Sequence, residues 1–305
     1  MKDNDCITNV IKIANTCIDL EYWPNHFKIS STVIIPKPNK LSYDSSKSFR
    51  PIILLNTLGK LIEKVIGERL QYHVVSNNFI YLSQLGRLKF KSTIDVGVTL
   101  MHIIWLGWTR KCLTSTLTFD IVQFFLSLNY WLFTLIVLKV GLDKHIIGFF
   151  SNYLIDRKTS YQWNSFSSSI FNINVGVGQC SALSLILSTL YISPFLYIVE
   201  KHLKILKIPI SIISLVDNEL FISQDKSFDI PNSHLFCSYN IMTNLLDKFS
   251  FIVKYSKTEV FHFSRLYGLF NPPSLDLLPL DSPILSPKNS WKYLGFIFNR
   301  KLTFH

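Results

Sequence analysis

Asp120 closes the run Ser115-Thr116-Leu117-Thr118-Phe119-Asp120, and Asp217 sits inside Ile212-Ile213-Ser214-Leu215-Val216-Asp217-Asn218-Glu219-Leu220-Phe221-Ile222. The first run reads as a strand that ends in a carboxylate. The second reads as an apolar hairpin with Asp217 at its tip. Two carboxylates brought by separate strands to one place are what two-metal phosphoryl transfer needs. Hard Mg²⁺ takes oxygen ligands, and a pair of ions clamps the attacking and leaving oxygens of an in-line displacement. An Asp at a turn is also a common turn former, so the spacing alone leaves both readings open.

The elements that must position these residues follow from pattern. Asp5 to Tyr22 carries an apolar stripe at helical spacing and stops before Trp23-Pro24, because a residue ahead of proline avoids helical angles. Phe27 to Ile35 reads as a strand and Pro36 to Lys47 as a loop. Asn56 is placed to cap a helix running to about Val75, with Leu58, Leu61, Ile62, Val65 and Ile66 as its apolar face. Thr93–Trp108 and Leu132–Tyr153 read as helices, the second interrupted near Gly141. Thr159–Val177 suits a hairpin, and Ala182–Leu203 reads as a long helix kinked at Pro194. Ser233–Phe249 is a further helix, Phe251–Phe263 a strand containing Lys257, and Pro272–Pro287 a proline-rich loop. Strands interleaved with helices, with at least one hairpin, predict an α+β fold.

Composition narrows the partners. The chain has 305 residues, 48% of them hydrophobic, with a net charge of +11. That excludes a disordered chain and leaves room for one large or two modest domains. Lys28 to Lys111 holds 13 Lys and Arg against 4 Asp and Glu, a local balance of +9. Such a cluster reads either as a polyanion footprint or as a solvated face. The 5 cysteines show no paired spacing, so neither a zinc site nor a disulfide framework is indicated. The start, Met1-Lys2-Asp3-Asn4-Asp5, is polar and gives no signal peptide, so an intracellular location, nuclear or cytoplasmic, is expected. Two uncharged runs, Ile121–Leu138 and Ser181–Val199, reach spanning length, but their polar residues and Pro194 favour core packing, and no membrane is expected.

Ordered motifs add to this reading. Ile34-Ile35-Pro36-Lys37-Pro38-Asn39-Lys40 is followed by Ser48-Phe49-Arg50-Pro51-Ile52 and Leu58-Gly59-Lys60-Leu61-Ile62-Glu63-Lys64. Phe119-Asp120-Ile121-Val122-Gln123-Phe124-Phe125 comes next, then Val175-Gly176-Val177-Gly178-Gln179-Cys180-Ser181-Ala182-Leu183-Ser184. Leu215-Val216-Asp217-Asn218 and Trp291-Lys292-Tyr293-Leu294-Gly295 complete the series. Over Trp23 to Phe304 this order resembles the reverse transcriptase domain of non-long-terminal-repeat (LINE-like) retrotransposons, of a fungal type. The resemblance implies a right-hand polymerase fold: an N-terminal helical extension over 1–22, then a reverse transcriptase domain over 23–305. Within that domain it places fingers at about 23–111 and a palm, an antiparallel sheet packed on helices, at about 112–305. A thumb would begin near the end of the chain and is expected to be missing.

The resemblance also implies roles. Asp120 and Asp217 would ligate two Mg²⁺ ions (Mn²⁺ as an alternative), with the carbonyl of Ile121 as a further donor and Asn218 beside them. Lys37, Arg50, Phe125, Gln179 and Lys257 would meet the incoming deoxynucleoside triphosphate, Phe125 by excluding a 2′ hydroxyl. Lys40, Cys180 and Ser181 would position the RNA template, on which a DNA primer is extended. The readings from residue type alone stay open: Phe125 as core, Lys37 and Lys40 as loop charge, Lys257 as an edge-strand lysine.

Departures from the pattern set the expected activity. Asn218 stands where a second aspartate is usual, keeping an oxygen acceptor but removing a charge. Cys180 replaces a glycine, Leu185 a proline, and Arg87 a small residue. The expectation is a degenerate, truncated copy whose RNA-directed DNA synthesis is weak or absent. The rival readings are a non-catalytic nucleic-acid-binding remnant and an inert protein.

Overall fold

The computed structural model describes residues 2–39, 41–86, 88–179, 181–265, 273–277 and 284–303. In chain order the elements are α1 (Lys2–Asp19), β1 (Ile29–Pro36), β2 (Phe49–Leu54), α2 (Thr57–Ser76), α3 (Thr93–Thr109) and β3 (Leu113–Asp120). Then come α4 (Tyr130–Val140), α5 (Lys144–Leu154), β4 (Arg157–Trp163), β5 (Phe166–Ser167), β6 (Phe171–Ile173) and α6 (Ala182–Ile205). The remainder is β7 (Ile210–Leu215), β8 (Asn218–Asp225), α7 (Asp229–Leu246), β9 (Glu259–Phe263), β10 (Ser290–Tyr293) and β11 (Phe296–Asn299). The chain divides into two compact units, Met1–Phe79 with Phe125–Tyr191 and Ile80–Phe124 with Ile192–His305. The mixed α+β expectation holds, and α6 continues from the first unit into the second.

In the first unit β1 is central, antiparallel to β2 and parallel to β4, with β5 and β6 each paired to β4. The Thr32 and Thr159 hydroxyls bond each other at 2.8 Å across the β1–β4 pair, so both polar groups are satisfied although buried. Asn56 caps α2 as expected, its side chain accepting the Gly59 N–H at 3.2 Å. The buried face of α2 differs from the one expected. Ile62, Ile66, Leu70 and Val74 are inside, while Leu58 and Leu61 are exposed. The approach is tight at Gly59, where a side chain would reach Phe27 Cγ at 3.3 Å, whereas one at Gly67 would make ordinary contact with the Ala182 carbonyl oxygen at 3.6 Å. Trp23, beyond the end of α1, is fully buried edge-on to Tyr153, with ring centroids 5.5 Å apart. The interruption near Gly141 is a left-handed helix end, φ +82°, dividing α4 from α5.

In the second unit the sheet order is β7-β8-β3-β9, and every pairing is antiparallel. Strand β3 is buried along its whole length despite its Thr and Ser residues. Their hydroxyls are used: Ser115 Oγ bonds His262 Nδ1 at 2.8 Å, and Thr116 donates to the Phe261 carbonyl at 3.1 Å. Val96, Leu100 and Ile104 of α3 pack with Ile213, Leu220, Ile222 and Phe261 of the sheet and with Trp291 and Phe298. Arg50, in a stretch given no element in the sequence reading, lies in β2 opposite Ile35. Lys257, expected on a strand, ends a short 3-10 turn (Tyr255–Lys257) ahead of β9.

Among the described residues α6 is long and apolar enough to cross a membrane, and 72% of its apolar stretch is buried within the protein. The other uncharged run, Ile121–Leu138, breaks into a short 3-10 turn and α4 rather than forming one helix.

Candidate active site

The second unit brings the two aspartates together through strand pairing. Asp120 ends β3 directly opposite Asn218, the first residue of β8, so Asp217 in the adjoining turn falls beside it. The turn's own backbone locks this register, because the Ile121 N–H donates to the Asp217 carbonyl at 2.9 Å. The two carboxyl groups lie within hydrogen-bonding reach of each other. Asn218 donates its amide to Asp217 Oδ1 at 3.0 Å, and Lys257 Nζ pairs with Asp120 Oδ2 at 2.5 Å. Lys254 N–H donates to the Asp120 carbonyl at 2.8 Å, which fixes the segment carrying Lys257 against the end of β3.

Burial, and after it the charge of Asp120, pushes the Asp217 carboxyl up to about 6. Two carboxylates that resist joint ionisation create a demand for positive charge. Lys257 meets part of it in this structure. The donor set of two carboxylates and an amide oxygen is hard and suits a divalent ion such as Mg²⁺ better than a thiolate- or imidazole-loving metal. Among the described residues no cluster of three or more His, Cys, Asp or Glu side chains forms a metal cage. A cation here therefore needs donors beyond the protein's acids, which substrate phosphates and water supply in phosphoryl-transfer sites.

The hairpin that presents Asp217 is strained and clamped. Val216, the first of its two turn residues, sits at φ +63°, a region β-branched side chains avoid at a cost of about 1–3 kcal/mol. The segment Ser83–Leu85 runs parallel to Ser214, with Ser214 N–H donating to Ser83 and Leu85 N–H donating to Ser214, at 3.0 and 2.8 Å. Gln84 Oε1 accepts the Gly86 N–H at 2.8 Å and the Val216 N–H at 3.3 Å. Its Nε2 donates to Ser214 Oγ at 2.8 Å, and that hydroxyl donates onward to Glu219 Oε1 at 2.8 Å. Glu219 is fully buried, and burial holds its carboxyl well above the usual range, with the Ser214 hydroxyl bond opposing the rise and the charge of Asp217 adding to it. Any side chain at Gly86 would strike the Val216 backbone nitrogen and approach its Cγ2 to 2.7 Å. Gln84 and Glu219 carry no motif signal of their own. The adjoining Gly86 was the only available hint.

The first unit holds the other expected residues. Gly176, at φ +79°, leaves no room for a side chain against Leu126 Cα, which one would meet at 2.6 Å. Val177 N–H donates to the Phe125 carbonyl at 2.7 Å, so Phe125 and the Gly178-Gln179 turn are tied by backbone. Ser181 Oγ accepts the Leu183 and Ser184 N–H groups at 3.2 and 3.3 Å, capping α6. Glu63 supports that cap from α2, accepting the Tyr153 hydroxyl at 2.8 Å and the Ala182 N–H at 3.1 Å. Burial raises the Glu63 carboxyl, while bonds from Ser181 and Tyr153 and the charge of Arg157 oppose the rise. Lys37 and Arg50 follow β1 and lie in β2 respectively, and the Lys37 N–H donates to Ser48 across that strand pair at 2.8 Å. Gln179 and Arg50 are exposed. Lys40, Cys180 and Arg87 lie outside the described residues. The structure thus gathers Asp120, Ile121, Asp217, Asn218 and Lys257 in one unit, and Lys37, Arg50, Phe125, Gln179 and Ser181 in the other.

A family model described as reverse transcriptase (RNA-dependent DNA polymerase) matches residues 35–298. The chain is 22% identical, over 98% of its length, to a probable RNA-directed DNA polymerase from transposon X-element of Drosophila melanogaster, of which it covers 32%. It is 24% identical, over 96% of its length, to the RNA-directed DNA polymerase from mobile element jockey of the same fly, covering 31%. The chain therefore spans about a third of the length of these relatives. Its fold resembles that of telomerase from Candida tropicalis, with TM-score 0.60, 17% identity, and coverage of 91% of this chain and 54% of that one. Telomerase from Candida albicans, solved with a fragment of telomeric RNA, gives TM-score 0.61 at 15% identity, with coverage of 91% of this chain and 47% of that one. The right-hand polymerase fold is thereby shown. The chain belongs to the reverse transcriptase family, and its transposon relatives match the LINE-like character read from its motifs.

Proposed function

We propose that this chain is the nucleotidyl-transfer region of a retrotransposon RNA-directed DNA polymerase, extending a DNA primer on an RNA template. The observation that carries the reading is the pairing of Asp120 with Asn218 across β3 and β8, which sets Asp217 against Asp120. Asp120, Asp217 and the Ile121 carbonyl would hold Mg²⁺ or Mn²⁺, which stabilises charge on the transferring phosphoryl group. Lys257 pairs with Asp120 and would turn toward triphosphate oxygens. Lys37 and Arg50 would meet those phosphates, Phe125 and Gln179 the sugar and base, and Lys40, Cys180 and Ser181 the template. An intracellular location, nuclear or cytoplasmic, belongs to the same reading.

Asn218 removes a carboxylate from the site, so weak polymerisation is expected from this copy. Template–primer extension with labelled deoxynucleotides tests both statements. Faint Mg²⁺- or Mn²⁺-dependent products that vanish in Asp120→Ala support them. Extension that survives Asp120→Ala overturns the site, and robust extension overturns the impairment. The +9 balance of Lys28–Lys111 favours a second reading, nucleic-acid binding without catalysis. That reading requires affinity for RNA or DNA that falls steeply with salt.

A further inference from the structure

The far end of strand β3 carries a second group of side chains suited to a ligand. Asp120 closes β3, whereas Leu113 opens it, roughly 23 Å away at the usual rise per residue. Beside Leu113 an open cavity of about 470 Å³ is lined by Trp105, Trp108, Lys111 and Arg265, among others. Trp105 and Trp108, one turn apart near the end of α3, meet edge to face with centroids 5.5 Å apart. The guanidinium of Arg265 lies in the angle between them, 4.1 Å from the Trp105 centroid and 4.3 Å from that of Trp108. Trp105 is nevertheless 47% exposed, so indole surface remains open to solvent.

The polar groups here are unspent. Among the described residues no carboxylate pairs with Arg265 and no acceptor takes its N–H donors. The buried indole N–H of Trp108 also has no acceptor. Arg110 and Lys111, the two residues after α3, are exposed and add positive charge at the rim. A guanidinium held against indoles keeps a planar fork of donors that suits phosphate oxygens, while the exposed indole surface suits a base. The volume lies in the range of small-ligand sites.

We propose that this notch binds a nucleotide of single-stranded nucleic acid, by stacking on Trp105 and Arg265 and by phosphate contacts to Arg265 and Lys111. Cationic rim and aromatic wall together distinguish such a strand from an acidic peptide or a free anion, neither of which uses the stacking faces. The site is separate from the aspartate pair and does not depend on metal or catalysis.

The test is binding of a short fluorescein-labelled oligouridylate to the whole chain without divalent ions, read by anisotropy. Arg265→Ala and Trp105→Ala should each weaken binding about tenfold, equivalent to about 1.4 kcal/mol. Arg265→Lys, which keeps the charge but not the plane, should fall between parent and alanine. Lys248→Ala removes an equal charge from an exposed turn and should leave affinity within about twofold. Mn²⁺ binding at the aspartate pair should be the same in Arg265→Ala as in the parent, which separates this site from the polymerase reading. Thermal melts check that the variants fold, and Trp105→Phe replaces Trp105→Ala if that variant does not. Equal affinity across the Arg265 and Trp105 variants overturns the proposal. So does a loss matched by Lys248→Ala, or displacement of the oligomer by inorganic phosphate as readily as by uridine monophosphate.

Discussion

Gln84 holds Val216 in place: its Oε1 accepts the Val216 N–H at 3.3 Å while its Nε2 donates to the Ser214 hydroxyl at 2.8 Å. The residue ahead of Asp217 in the hairpin is therefore gripped by a loop more than 120 positions earlier in the chain. The grip matters because Val216 sits at φ +63° and would relax without it.

Gly86→Ala should break this clamp. The added methyl strikes the Val216 backbone, so the hairpin must shift and carry Asp217 with it. The expected result is a loss of about 2–4 kcal/mol in urea unfolding and at least a tenfold loss of Mn²⁺ affinity by electron paramagnetic resonance. Val260→Ala, a core truncation elsewhere in the sheet, should cost similar stability but leave Mn²⁺ affinity unchanged. Equal Mn²⁺ binding in both variants would show that the clamp does not position the aspartate.

Asp217→Asn should stabilise the metal-free protein near neutral pH. The folded carboxyl titrates at about 6 against an ordinary value of 3.8, so the folded state holds the proton more tightly. Its contribution to stability is present below pH 4 and is lost as pH rises through 6. Allowing for partial exposure, the variant should gain about 1–2 kcal/mol at pH 7.5 and nothing at pH 3.5. His262 slopes the other way, since burial lowers it to about 4 from 6.5, and its contribution is lost as pH falls through 4. That slope is common to both proteins and cancels in the difference. A variant no more stable than the parent at pH 7.5 would mean that neither burial nor the charge of Asp120 opposes ionisation of Asp217.

Glu219→Gln should be nearly silent in stability, whereas Glu219→Ala should cost about 2–4 kcal/mol. The glutamine keeps an acceptor for the Ser214 hydroxyl and resembles the neutral form of the carboxyl, which burial favours. The alanine leaves a cavity and an orphaned hydroxyl. Chemical denaturation at pH 7 reads both, and a large penalty for glutamine would indicate an ionised Glu219.

Asn218→Asp should strengthen divalent-ion binding several-fold and raise primer extension, while lowering metal-free stability by about 1 kcal/mol. A third carboxylate adds charge beside Asp217, whose Oδ1 now accepts the Asn218 amide at 3.0 Å. Isothermal titration with Mn²⁺ and an extension assay would decide it; unchanged binding would place Asn218 outside the ion site.

Much of this architecture was legible in local pattern. The strand ending at Asp120, the hairpin bearing Asp217 and the Asn56 cap rest on short-range chemistry, and each stands where the residues indicated. The α2 face did not, because the helix packs against Phe27 at Gly59, and apolar spacing cannot register an absent side chain. Lys257 was assigned to a strand because Phe251–Phe263 alternates, yet the Lys254 N–H is taken by Asp120 and the chain turns there instead. Gln84 and Glu219 were invisible for a different reason. Their roles exist only through partners such as Ser214, which no neighbouring residue announces.

Strand β7 would end the second sheet with a row of unpaired backbone groups. Ser83–Leu85 lies along it instead and takes up both the N–H and the carbonyl of Ser214. The same strip of chain that steadies the turn thus covers the Ser214 end of a margin to which another polypeptide could otherwise add itself. Mutations that loosen Gln84 should for that reason be read in two assays: one for lost ion binding, and one for a newly sticky protein that assembles edge to edge.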